Sequence, residues 1–104
     1  MEAVLQTRVP DQMAKQLKLY AITKNNKIKD CIAEAMTLFI NQKPWLNGVW
    51  IKQPKTNSEF KPLTVKVPDA VSAQLTQTAE ALEVSTSSLA YTAIEWYLKQ
   101  NGND

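Results

Sequence analysis

Histidine is missing from the 104 residues, and cysteine and arginine occur once each, as Cys31 and Arg8. Without imidazole there is no His-based acid–base chemistry, no His metal site and no catalytic triad of the usual kind. A single thiol makes neither a CxxC zinc or redox site nor an intramolecular disulfide. Two glycines, Gly48 and Gly102, are too few for a glycine-rich phosphate loop. One arginine offers no cluster for phosphate-ester chemistry. No apolar run reaches the roughly 18 residues that a membrane span needs. The opening Met1-Glu-Ala-Val-Leu-Gln-Thr-Arg8 has no basic stretch leading into an apolar one, so a signal peptide is not expected. These absences argue against an enzyme, a cofactor, a metal site or a membrane partner. They point to a small binding protein, cytoplasmic by default. The rest of the composition is ordinary, with 44% apolar residues, 21% charged residues and a net charge of +2.

What the chain does have is an internal repeat. Leu5-Gln-Thr-Arg-Val-Pro-Asp11 aligns with Leu63-Thr-Val-Lys-Val-Pro-Asp69, and at the same offset Gln16-Leu17 meets Gln74-Leu75, Ala21 meets Ala79, Ala35 meets Ala93 and Phe39 meets Tyr97. No gap is needed. Each copy predicts one strand and two helices. Residues 4–9 and 62–67 alternate as strands do, with Leu5, Thr7 and Val9 on one face and Val4, Gln6 and Arg8 on the other. In the second copy Leu63, Val65 and Val67 oppose Thr64 and Lys66. Pro10 and Pro68 suit the opening of a helix, and Asp11 and Asp69 put a carboxylate in its first turn. Met13, Leu17 and Ala21, like Val71, Leu75 and Ala79, form one apolar stripe per first helix. These helices should end near Lys24 and Leu82.

The second helices should start after Asn25-Asn26 and after Glu83-Val84, with Asn26 (or its competitor Asn25) and Ser85 as N-caps. Their apolar stripes are Ile28, Cys31, Ile32, Ala35 and Phe39, and Leu89, Ala93, Ile94 and Tyr97. They should end near Gln42 and Gln100, leaving a frayed tail from Asn101. The organisation expected is therefore a first repeat over 1–42, a linker over 43–61 and a second repeat over 62–104, sharing one core. In the linker, Asn47-Gly48 between Trp45-Leu46 and Val49-Trp50 signals a small hairpin that docks its tryptophans on the helices, followed by an extended strap over 54–61. Trp45 and Trp50 fit either a joint between linker and helices or a surface for a protein partner. Trp96, Tyr91 and Tyr97 are expected in the core, as is Cys31.

A lone strand leaves its backbone groups unpaired, so the two strands should pair with each other, antiparallel, as a ribbon resting on four helices. Strand, Val-Pro-Asp, helix, capped loop, helix, occurring twice, resembles the ribbon-helix-helix (MetJ/Arc) family of DNA-binding proteins. The second copy, with Leu63-Thr-Val-Lys-Val-Pro-Asp69 and Val84-Ser-Thr-Ser-Ser-Leu89, is the closer match. Members usually build the ribbon from two chains, whereas here one chain carries both halves, as in the TraY-type relaxosome proteins of conjugative plasmids. The resemblance implies a mainly α pseudo-dimer with a two-stranded antiparallel ribbon and four helices. It implies further that the ribbon enters the major groove of double-stranded DNA and reads base edges.

On that resemblance the outward positions Gln6, Arg8, Thr64 and Lys66 are the base readers, with Val4 and Pro62 adding apolar contact at the strand ends. Their side chains suit base recognition, since Arg and Lys donate to guanine, Gln binds adenine with two hydrogen bonds, and Thr serves several bases. The resemblance also implies a phosphate clamp at the N-terminus of each second helix, an anion site by geometry and dipole. Ser85, Thr86 and Ser87 would supply it in the second copy, Lys27 and Lys29 in the first, although one serine there suffices merely to cap a helix. Residues 1–61 hold ten Lys/Arg and five Asp/Glu, net +5; residues 62–104 hold two and five, net −3. That is weakly basic for a DNA binder, so modest affinity per molecule and self-association on adjacent sites are expected. Because the two strands differ, the target need not be a palindrome. The commonest use in the family is transcriptional repression; an accessory role in plasmid conjugation or maintenance is the second expectation, and an antitoxin or protein-interaction module the third.

Overall fold

A computed structural model describes residues 2–56 and 58–101. Strand β1 (Glu2–Pro10) is followed by helices α1 (Asp11–Thr23) and α2 (Ile28–Gln42). A single 3-10 turn, Pro44–Asn47, opens the connection to strand β2 (Phe60–Pro68), which leads into α3 (Asp69–Leu82) and α4 (Thr86–Asn101). Each of β1, α1 and α2 starts 58 residues before its counterpart, at Glu2 and Phe60, Asp11 and Asp69, Ile28 and Thr86. The frayed tail expected from Asn101 lies, from Gly102 on, outside the described residues.

The two strands form one antiparallel sheet, from Glu2 opposite Pro68 to Pro10 opposite Phe60. The centre of the ladder is the pair Gln6 and Thr64, themselves 58 residues apart. Alternation decides which side is wet. Leu5, Thr7, Val9 and Val67 are buried against the helices and Leu63 and Val65 half-buried, while Val4, Gln6, Thr64 and Lys66 are exposed. Each strand stops at a proline, which lacks the N–H a ladder needs and keeps the residue before it extended. Pro10 (φ −66°, ψ 152°) and Pro68 (φ −56°, ψ 145°) are extended N-caps, one residue ahead of the helices they were expected to open.

Asn26 does not cap α2. Asn25 takes the left-handed conformation (φ 54°) and donates to the Ile22 carbonyl at 3.0 Å, while Asn26 N–H donates to that of Ala21 at 2.8 Å. The two asparagines thus close the C-terminus of α1 as a Schellman motif. Glu83 (φ 60°) and Val84 close α3 in the same manner, on Glu80 and Ala79. The residue that remains to cap α2 is Lys27, which has no side-chain cap bond. Its counterpart Ser85 does cap α4, its Oγ accepting the Ser88 N–H at 3.0 Å.

The core lies between the ribbon and the four helices. Leu17, Ile32, Met36, Phe39, Leu75, Leu89, Ile94 and Tyr97 are its largest fully buried side chains, and Cys31 and Ala93 are buried among them. Tyr97 meets Tyr20 edge-on at 5.3 Å between ring centres, and its hydroxyl donates to that of Tyr20 at 3.1 Å. Burial pushes the Tyr97 hydroxyl far above the ordinary tyrosine range, with the Tyr20 hydrogen bond acting in the same direction. The Cα radius of gyration of 12.7 Å is that of a single packed body of this length.

The linker corrects two expectations. Its Asn47-Gly48 pair does not turn a hairpin: Gly48 (φ 100°) ends the 3-10 turn, and the Val49 N–H closes back on the Pro44 carbonyl at 3.2 Å. Both structures need a positive φ at that point, so the dipeptide alone does not choose between them. Of the two tryptophans, Trp45 is half-buried with its ring 5.3 Å from Phe39, but Trp50 is 81% exposed. From Val49 to Thr56 the chain has no regular structure. The expected strap over 54–61 includes Asn57, outside the described residues, and passes into β2 at Phe60.

One buried hydroxyl ties this linker to the core. Thr92 Oγ1 accepts the Lys52 N–H at 2.8 Å and donates to the Ser88 carbonyl at 2.9 Å. Thr92→Val keeps the shape but leaves the Lys52 N–H without its acceptor. It is expected to cost about 1–3 kcal/mol, measured by urea unfolding.

Candidate nucleic-acid interface

A cleft of about 830 Å³ runs alongside the ribbon, bordered by residues of both faces of β1, by α3 and by the first turn of α4. Val4, Gln6, Arg8, Pro62 and Thr64 line it from the outward row of the ribbon, Leu5 and Thr7 from the inward row, Ser72, Leu75 and Thr76 from α3, and Ser85, Thr86 and Ser87 from α4. Of the nine polar residues expected to contact nucleic acid, six meet here: Gln6, Arg8, Thr64, Ser85, Thr86 and Ser87. Lys66 is exposed on the same ribbon face, opposite Val4, but does not line the cleft.

The ribbon and α4 are stitched together at this point. Thr7 Oγ1 donates to the Ser87 carbonyl at 2.8 Å, and Ser87 Oγ donates to Thr7 Oγ1 at 3.1 Å. Thr7 is therefore a buried core-face residue whose hydroxyl sets the distance between strand and helix. Ser85 Oγ is occupied with capping and also donates to Ser88 Oγ at 2.8 Å. Among the described residues the Thr86 hydroxyl has no such engagement. The first-turn N–H groups of an α-helix have no partner within the helix, and the dipole makes them attractive to anions. No acidic residue stands in the first turn of α4.

The start of α2 differs. Asp30 puts a carboxylate in its first turn, which opposes a phosphate at that end. Lys27 is exposed, whereas Lys29 Nζ lies 3.5 Å from the Glu2 carboxylate, an ion pair about 40% exposed on both sides and weak for that reason. Neither lysine lines the cleft. The two helix starts are thus unequal, one hydroxyl-rich and free of acid, the other ionic and mixed in sign.

Arg8 lies on the outward face as its alternation requires, but it is half-buried, and its Nη2 donates sideways to the Phe60 carbonyl at 2.9 Å. Its Nε is buried without an acceptor among the described residues. A half-satisfied guanidinium is costly to keep and has donors in reserve. Close by, the Asp11 N–H donates to the Glu59 carbonyl at 3.1 Å, so the end of the linker is held at the tip of the ribbon from both sides.

Sequence reasoning missed Ser72 and Thr76. The signal was present, as two hydroxyl residues four apart on one helix share a face, but nothing in the pattern said that this face bordered the ribbon. No family model, curated protein or solved structure matches the chain. Among the described residues no helix is long and apolar enough to cross a membrane.

Proposed function

We propose that the chain is a single-chain pseudo-dimer of two ribbon-helix-helix repeats that binds double-stranded DNA, with the ribbon in the major groove and a phosphate at the start of α4. One observation carries this reading: the polar row of the ribbon and the acid-free first turn of a helix line the same cleft. A two-stranded ribbon matches the width of the groove, and a phosphate next to a reading strand would meet the Thr86 hydroxyl and the open N–H groups of that turn. The 58-residue spacing of all three element pairs, with the ladder centred on Gln6 and Thr64, supports the pseudo-dimer.

Gln6, Thr64 and Lys66 are the base readers on this reading, and Arg8 joins them by releasing the Phe60 carbonyl. Repression of transcription is the use the resemblance favours; an accessory role in plasmid transfer is the second. The test is selection of bound sequences from a random duplex pool, followed by gel shift against random competitor. Enrichment of a short site, lost when Gln6, Arg8, Thr64 and Lys66 are all alanine, is the expected result. No shift at low salt would sink the proposal and favour a protein-interaction module.

A further inference from the structure

The ladder sets the outward row of the ribbon in a fixed order. Its central pair is Gln6 and Thr64; on one side of them Val4 stands opposite Lys66, and on the other Pro62 stands opposite Arg8. An amide and a hydroxyl thus hold the centre, and each flank pairs one cation with one apolar side chain. All six are exposed except Arg8, which is half-buried and tied to the Phe60 carbonyl. Beyond them the row ends in Glu2 and Pro68 next to Lys66, and in Pro10 and Phe60 next to Arg8. The Glu2 carboxylate lies 3.5 Å from Lys29 Nζ, and Phe60 is buried. Lys61, the remaining charged residue of the two strands, belongs to the opposite row.

On the proposed placement of the ribbon in the major groove, on which this depends, we infer that the row specifies a core of about five base pairs. Its centre is an A·T pair, flanked two steps away on either side by G·C pairs whose guanines lie on opposite strands. From Val4 to Arg8 the strand rises about 14 Å, roughly four base-pair steps of 3.4 Å each. Each flank therefore stands about two steps from the centre. An antiparallel ladder has a local two-fold axis through its central pair, and a duplex has one through each base pair. Where the axes coincide, Arg8 and Lys66 fall on opposite strands. Both donate to guanine O6 and N7, and the apolar neighbour of each brings no donor or acceptor to compete. At the centre, Gln6 and Thr64 face the two members of one base pair. Gln binds adenine N6 and N7 with two hydrogen bonds, while the threonine methyl packs on the thymine methyl. A central G·C pair would leave the Gln carbonyl unmatched, because guanine offers only acceptors, and would give Thr64 no methyl. The flanks are alike in kind, so the central pair, with adenine on the Gln6 side, decides which way the molecule lies.

The experiment is selection of duplexes by the full chain, read for base order as well as for enrichment. One strand of the selected core should carry guanine at one end, cytosine at the other, and adenine or thymine midway. Two variants and one altered base separate the contacts. K66Q changes an exposed side chain with no ion-pair partner among the described residues. It should exchange guanine for adenine at one end, by about tenfold, and leave the other end and the centre unchanged. Uracil in place of the central thymine removes only the C5 methyl; it should weaken the wild type severalfold and T64S hardly at all. Circular dichroism checks the fold of both variants, and the wild-type arms stand without them. A core of other composition at these three positions, a K66Q preference identical to the wild type, or an equal uracil effect on wild type and T64S would overturn the inference while leaving DNA binding in place. Failure to enrich any sequence would instead remove the ribbon as a base reader, and the inference with it.

Discussion

Phe39→Ala is expected to destabilise the protein by about 3–5 kcal/mol, the usual cost of emptying a fully buried aromatic site. Phe39 is fully enclosed, and two other rings lean on it: Trp45 at 5.3 Å from the linker and Trp96 at 5.5 Å from α4. Its removal therefore opens a cavity at a place where α2, α4 and the linker meet. Neither indole can turn in to fill the gap cheaply, since Trp45 follows the buried Pro44 in a tight 3-10 turn. A domain of this size has roughly 5–15 kcal/mol of stability to lose, so the variant should be partly unfolded at physiological temperature. Thermal unfolding followed by tryptophan fluorescence measures both the loss and the release of Trp45. A cost below about 1 kcal/mol would show that the linker, not the ring, holds this corner.

Phe39 also illustrates what the sequence made legible. Its burial follows from the spacing of Ile28, Cys31, Ile32, Ala35 and Phe39, because a helix has a fixed period and the stripe has to face something apolar. The inward and outward rows of the ribbon followed from the period of two in the same way, and the strand pairing from the need to satisfy lone backbone groups. The misses fall where a local signal has two physical meanings. Asn25-Asn26 can cap the helix that follows or close the one that precedes, and closing α1 won because Asn tolerates the left-handed conformation a Schellman motif demands. Asn47-Gly48 served a 3-10 turn because Gly48 supplies the positive φ that ends it. Contacts distant in sequence were invisible altogether: Thr92 holding Lys52, Thr7 holding Ser87, and Arg8 reaching Phe60 each join residues at least 40 positions apart. Of the candidate interface, the ribbon row could be named from sequence; the cleft that unites it with one helix start, and not the other, could not.

That cleft makes the centre of the ribbon the most sensitive point for the proposed function. Gln6 and Thr64 face each other in the ladder, both exposed, both lining the cleft, so a ligand on the ribbon covers them first. The double variant Q6E/T64E keeps two polar side chains of strand-compatible size on a wet face, and the fold should survive with less than about 1 kcal/mol lost to the carboxylate pair. Toward DNA the same change removes two base contacts, worth about 1–3 kcal/mol each, and sets two carboxylates among phosphates and base acceptors. Duplex binding should fall at least a hundredfold, for specific and random sequence alike, with unchanged circular dichroism and little change in the melting curve. Q6A/T64A separates the two causes: it should reduce preference for the selected site while leaving weak, salt-dependent binding to any duplex, because Lys66 and the start of α4 still meet the backbone. If Q6E/T64E binds DNA as well as the wild type, the ribbon is not the reading surface, and any nucleic acid the protein holds must lie elsewhere.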